Sequence, residues 1–114
     1  MFVAISVDRQ CIYCSAAHVA CCRMLHVNPE WTEAASQSNL NAIADLKLRD
    51  MILFGLKAAR NPQSLAPEDY SKLRSYGLQQ SEIMELIGVA AFAVYANIIA
   101  DATAMDSDPM FDQL

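Results

Sequence analysis

The sequence predicts an all-α, single-domain protein of about five or six helices. Three observations carry this. The 114 residues are 54% apolar and only 18% charged. Glycine and proline are scarce, at 3 and 4 residues. The apolar residues recur in long stretches, mainly at three- and four-residue spacing, rather than in short alternating runs. A chain of this length is one domain, here taken as residues 1–114.

Met1–Val7 is an apolar run too short for periodicity to fix its type, and the polar Asp8-Arg9-Gln10 interrupts it as a turn would. From Cys11 to about His26 the pattern is helical, with Ala16, Ala17, Ala20 and Leu25 as formers. Asn28-Pro29-Glu30 reads as N-cap, first helical position and first-turn acid of a short helix through about Gln37. The polar run Ser36–Asn39 ends it. A longer helix is expected from about Ala42 to Arg60, stopped by Asn61-Pro62. Pro67 with Glu68 and Asp69 opens another, which ends at Gly77. The last runs from about Gln80 to Met105 and is apolar nearly all round, so it must be covered on most sides, within the domain or between subunits. Trp31, Tyr70, Tyr76, Phe92 and Tyr95 are read as core or interface aromatics, and Glu82 and Glu85 as acids suited to a helix start.

Ordinary chains are about 45–50% apolar and about 25% charged, so this composition implies apolar surface shared between subunits of a homo-oligomer. The net charge of −5, with no cluster of Lys or Arg, argues against nucleic acid and against an anionic membrane surface. Ile83–Ala100 could span a bilayer by length, but it carries Glu85 and Asn97 and is rich in small residues, so a close-packed helix is the better reading. The opening residues lack the form of a secretory signal. Four cysteines crowd into residues 11–22. An exported scaffold would spread its cysteines along the chain, so the cluster points to a cytoplasmic redox or metal role.

The strongest local feature is Cys11-x-x-Cys14-x-x-x-His18. On a helix these positions return to nearly one face. The preceding turn places both thiols in the first helical turn, where free N–H groups and the positive dipole end favour a thiolate. A nearby imidazole can accept the thiol proton, and a second thiol can capture a sulfenic acid as a disulfide. The same stripe would also suit small packed core residues. Zinc would require Cys21 or Cys22 as a fourth ligand, and one straight helix cannot wrap four ligands tetrahedrally. Cys21 and Cys22 are taken as packing residues, and His26 as a helix-end cap.

At Cys11, Cys14 and His18 the chain resembles the alkylhydroperoxidase D / carboxymuconolactone decarboxylase superfamily, and within it the peroxidase-related branch. Leu46–Ala59, Glu68–Ile83 and Tyr95–Asp101 resemble the family's later helices. The resemblance implies an AhpD-like all-helical fold in homo-oligomers, from dimer to hexamer. It implies a thiol peroxidase using no cofactor and no metal, with a hydroperoxide as substrate and a dithiol as reductant. By position, Cys14 would be the peroxidatic thiol, Cys11 the resolving thiol and His18 the proton relay. The decarboxylases proper lack this pair, so decarboxylation is not implied. One departure stands out. The family's relay Glu lies farther upstream of the first Cys than Met1 does, so the chain is a fragment lacking the N-terminal part of the family, or begins internally, or works without that Glu, with thiol activation then weaker. A general thiol–disulfide oxidoreductase and a non-catalytic helical assembly protein with packed thiols are the competing readings.

Overall fold

The computed structural model describes residues 1–113. Among them are six α-helices and no strand: α1 (Phe2–Asp8), α2 (Ile12–Met24), α3 (Pro29–Ser36), α4 (Leu46–Arg60), α5 (Pro67–Ser75) and α6 (Gln80–Ala102). Short 3-10 turns lie at Leu40–Ala42, Pro62–Ser64 and Pro109–Gln113.

The opening apolar run is helical. It buries four consecutive residues, Val3, Ala4, Ile5 and Ser6, because α2, α3, α4 and α6 all pack around it. A helix enclosed on every side shows no apolar stripe, which is why periodicity could not type it. The main core joins α1, α3, α4 and α6 through Ile5, Ala34, Ile52, Leu56, Ala90 and Ala93. A second cluster, Phe54, Leu73, Leu78, Ile83 and Leu86, seats α5 against α4 and α6. Trp31 lies partly buried against the first cluster, and Tyr70 and Tyr76 against the second.

Helix starts follow their caps. Asn28 Oδ1 accepts the Glu30 N–H at 2.9 Å, with Pro29 in the first turn. Helix α4 begins later than the expected Ala42. Leu40–Ala42 forms a 3-10 turn instead, and Asp45 supplies the cap, its carboxylate accepting the Leu48 N–H at 3.0 Å. Five helix ends share one device. After α1, α2, α3, α5 and α6 the next-but-one residue adopts a left-handed conformation, at Gln10, His26, Ser38, Gly77 and Ala104. The amide beyond it bonds back to a carbonyl in the last turn, as Cys11 N–H does to Ser6 at 3.0 Å. Glycine announces this turn at Gly77 alone, so α6 stops at Ala102 and not at the expected Met105.

Helix α6 turns one stripe inward: Ile83, Leu86, Ala90, Ala93, Asn97 and Ala100. Its outer face leaves Phe92 61% and Tyr95 60% exposed, beside Met84, Ile98 and Ile99. The single chain therefore covers only part of this apolar helix.

Candidate thiol site

Cys11 belongs to two helices at once. Its amide closes the end of α1, and its carbonyl accepts from the Ser15 N–H at 3.0 Å and the Ser15 hydroxyl at 2.7 Å. Its Sγ caps α2 by accepting the Cys14 N–H at 3.4 Å. These bonds fix the residue from both sides and aim its sulfur into the angle between α2 and α6. There Cys11 and Cys14 pack with Ala100 and the partly buried Tyr13, whose ring meets Phe111 edge-on at 5.8 Å. Cys11 is 0% and Cys14 3% exposed, and both are free thiols packed in one cluster.

At Cys11, burial opposes the thiolate that the start of α2 favours. Burial pushes its pKa up to about 12, and the neighbouring Cys14 thiol and Asp101 carboxylate add to the rise. The Cys14 N–H pulls the other way and is outweighed. Removing a thiolate from water costs more than one amide hydrogen bond returns.

His18 sits one turn beyond Cys14, half-buried, with its ring stacked on Phe2 at 4.5 Å between centroids. Its Nδ1 lies 2.7 Å from the Cys14 carbonyl. A carbonyl only accepts, so Nδ1 carries the hydrogen and Nε2 is the basic nitrogen of the neutral ring. The structure thus brings Cys11 and Cys14 together and ties His18 to the Cys14 backbone. Cys22 packs against the main core and Cys21 is partly buried, away from the Cys11–Cys14 cluster. His26 follows the C-cap of α2, Leu25, in a left-handed conformation.

Two neighbours carried no sequence-derived role. The Asp101 carboxylate, in the last turn of α6, adds to the rise in the Cys11 pKa. The one available signal was an acid at the end of an apolar helix, where the dipole favours a cation. The second is the fully buried Asn97, whose Nδ2 donates to Ser6 Oγ at 3.0 Å while its Oδ1 has no partner.

The larger open cavities lie elsewhere. One of about 610 Å³ runs between α2 and α3 past Arg23, His26 and Glu33. Another of about 490 Å³ lies between α4 and α5. Neither is lined by Cys11, Cys14 or His18. Among the described residues, no three His, Cys, Asp or Glu side chains are grouped to hold a metal ion.

No family model matches the chain, and no curated protein matches it. Solved structures do. A peroxidase-related protein from Silicibacter sp. TM1040, itself uncharacterized, is 30% identical with a TM-score of 0.89 over 96% of this chain. An uncharacterized peroxidase-related protein from Ralstonia eutropha JMP134, described as an alkylhydroperoxidase AhpD core, is 27% identical with a TM-score of 0.87 over 96% of this chain. The chain spans 58% and 57% of the length of these two proteins. Its fold is that of the alkylhydroperoxidase AhpD-like, peroxidase-related proteins.

Proposed function

We propose that this chain is a thiol-dependent peroxidase working through Cys14, Cys11 and His18. The observation that carries the reading is the paired thiols at the start of α2, joined through the Cys14 N–H and set in an AhpD-like fold. Cys14, as thiolate, attacks the distal peroxide oxygen. An S–O bond forms, the O–O bond breaks, and the alcohol leaves with a proton. The protonated Cys11 then displaces hydroxide from the Cys14 sulfenic acid, giving the disulfide and water. A dithiol reductant returns two electrons and two protons. A thiol held protonated at rest is poorly suited to make the first attack on peroxide, so the upward shift of Cys11 favours Cys14 for that step. His18 Nε2 is the nitrogen left to accept the Cys14 proton.

The exposed face of α6 supports a homo-oligomer in which a second copy covers Phe92, Tyr95 and Ile98. The site is set in the cytoplasm, where a dithiol reductant keeps the pair cycling.

The near-complete burial of both thiols supports a second reading, a helical assembly protein in which the pair only packs. Native thiol titration with one equivalent of cumene hydroperoxide, followed by mass mapping of the Cys11–Cys14 peptide, separates the two. The peroxidase reading expects two thiols lost and a Cys11–Cys14 disulfide, with peroxide consumption abolished in Cys14→Ser. Unreactive thiols in the native protein would leave the packing reading standing.

A further inference from the structure

We propose that Phe2, backed by Phe92 and Tyr95, is the positioning residue for His18 in the first step. This rests on the peroxidase reading and deepens it, for there His18 Nε2 takes the Cys14 proton. Two contacts hold the imidazole. Its Nδ1 lies 2.7 Å from the Cys14 carbonyl. Its face stacks on the Phe2 ring at 4.5 Å between centroids, with the planes 26° apart. The hydrogen bond alone does not fix the ring. The last torsion of a histidine is broad and roughly two-fold, and a half turn about it carries Nδ1 away from the carbonyl. A flat partner against the face fixes the plane, and the two contacts together leave Nε2 in one place.

Phe2 is itself held from behind. Phe92 meets it edge-on at 5.9 Å between centroids, with the planes 80° apart, and Tyr95 stacks on Phe92 at 6.0 Å. These are the arrangements in which aromatic pairs attract beyond the area they bury. The row runs from α2 through α1 to α6, so His18 takes its orientation from three elements rather than from its own helix. Burial does not account for the row, since Phe92 and Tyr95 are mostly exposed. A ring face also attracts an imidazolium more strongly than a neutral imidazole. The stack therefore favours the ion formed as the Cys14 S–H bond breaks and its proton passes to Nε2, leaving the thiolate. The row ends on the face of α6 that a second copy would cover.

The test uses the full chain as wild type, Phe2→Leu, Phe2→Tyr and Phe92→Leu, with ¹⁵N-labelled histidine. In the reduced protein at alkaline pH, ring-nitrogen NMR is expected to show His18 as the single Nδ1–H tautomer in wild type. Phe2→Leu keeps the apolar bulk but loses the ring face, and a mixture of tautomers is expected. Phe2→Tyr restores the single tautomer, and Phe92→Leu gives a smaller admixture. With one equivalent of cumene hydroperoxide, Cys14 oxidation is expected to slow about tenfold or more in Phe2→Leu and to recover in Phe2→Tyr. A purely packing role for Phe2 would leave the tautomer unmoved. The wild-type tautomer in Phe2→Leu overturns the proposal, and so does a mixture that leaves the oxidation rate unchanged. Should Phe2→Leu not fold, Phe92→Leu at its exposed position decides by the same signal, a mixture supporting the proposal and a single tautomer overturning it. If wild type consumes no peroxide, the peroxidase reading fails, while the tautomer signal still decides whether the row positions His18.

Discussion

The corner where α1, α2 and α6 meet and the corner where α4 and α5 meet each bury an ionisable group, and they treat it oppositely. Asp50 is 5% exposed on α4, and burial alone would raise its pKa. The Tyr76 hydroxyl, donating at 2.6 Å, and Lys72 Nζ, at 3.2 Å, outweigh that and hold the carboxyl below its ordinary value. Around it Lys57 pairs with Asp69 at 2.7 Å, and Arg60 reaches back to Asp8 on α1. Cys11 is as deeply buried but meets a thiol and a carboxylate instead of a cation, and its pKa rises. Depth sets the size of the desolvation cost; the partner decides which protonation state is kept.

The largest expected effect breaks the comparison at the thiol corner. Cys11 has a raised pKa in the folded state, so it contributes stability that is fully present below the unfolded value of 9.0 and lost as pH rises toward about 12. Urea unfolding across this window should show a decline on the order of a few kcal/mol, for a pKa unit is worth about 1.4 kcal/mol. Cys11→Ser, which does not ionise there, should show much less of it. An equal decline in both proteins would place the alkaline transition elsewhere.

The next effect belongs to the acid corner. Tyr76→Phe removes one of the bonds that compensate the buried Asp50 and should cost about 1–2 kcal/mol in chemical denaturation. The sign with pH is opposite to that of Cys11. Asp50 has a lowered folded pKa, so its contribution is present above its ordinary value of 3.8 and disappears as pH falls through the folded pKa. In Tyr76→Phe the carboxyl should protonate at a higher pH than in wild type, readable by following the Asp50 side chain by NMR.

The smallest effect compares the two corners through their helix ends. Gln10 after α1 and Gly77 after α5 occupy the same left-handed turn, at φ 60° and 87°. Gln10→Gly should stabilise by about 0.5–1 kcal/mol, the relief of left-handed strain less the added chain entropy. Gly77→Ala should destabilise by about 1 kcal/mol although a Cβ there meets nothing within 4 Å. Thermal melts of the two variants should therefore shift in opposite directions.

The same helix ends show what a sequence carries in readable form. Asn28-Pro29-Glu30, Asn61-Pro62, Pro67 and Gly77 mark boundaries through local chemistry, and the boundaries they imply are observed. Ala104 performs the same turn as Gly77 with no distinguishing side chain, so the end of α6 could not be placed. Likewise Leu40–Ala42 bears ordinary helix formers and forms a 3-10 turn, because Asp45 caps α4 further on. The placement of Cys14 and His18 one turn apart was legible because four-residue spacing is a property of one helix. The packing of Ala100 on both thiols was not, because α6 brings it to them from the far end of the chain. The rise in the Cys11 pKa was not legible either, since spacing reports a helix start but not how deeply that start is buried.

The junction between α1 and α2 contains no spare residue. Gln10 reverses the chain in one left-handed step, and the next residue closes one helix with its amide while opening the other with its sulfur. An insertion between Val7 and Cys11 would separate those two duties, and a deletion would remove the reversal. Lengths can drift in the segment between α3 and α4, where a 3-10 turn and a capping aspartate share the work. At the thiol junction the spacing from the last buried residue of α1 to the first sulfur is fixed by backbone geometry, so the corner tolerates substitution far better than any change of length.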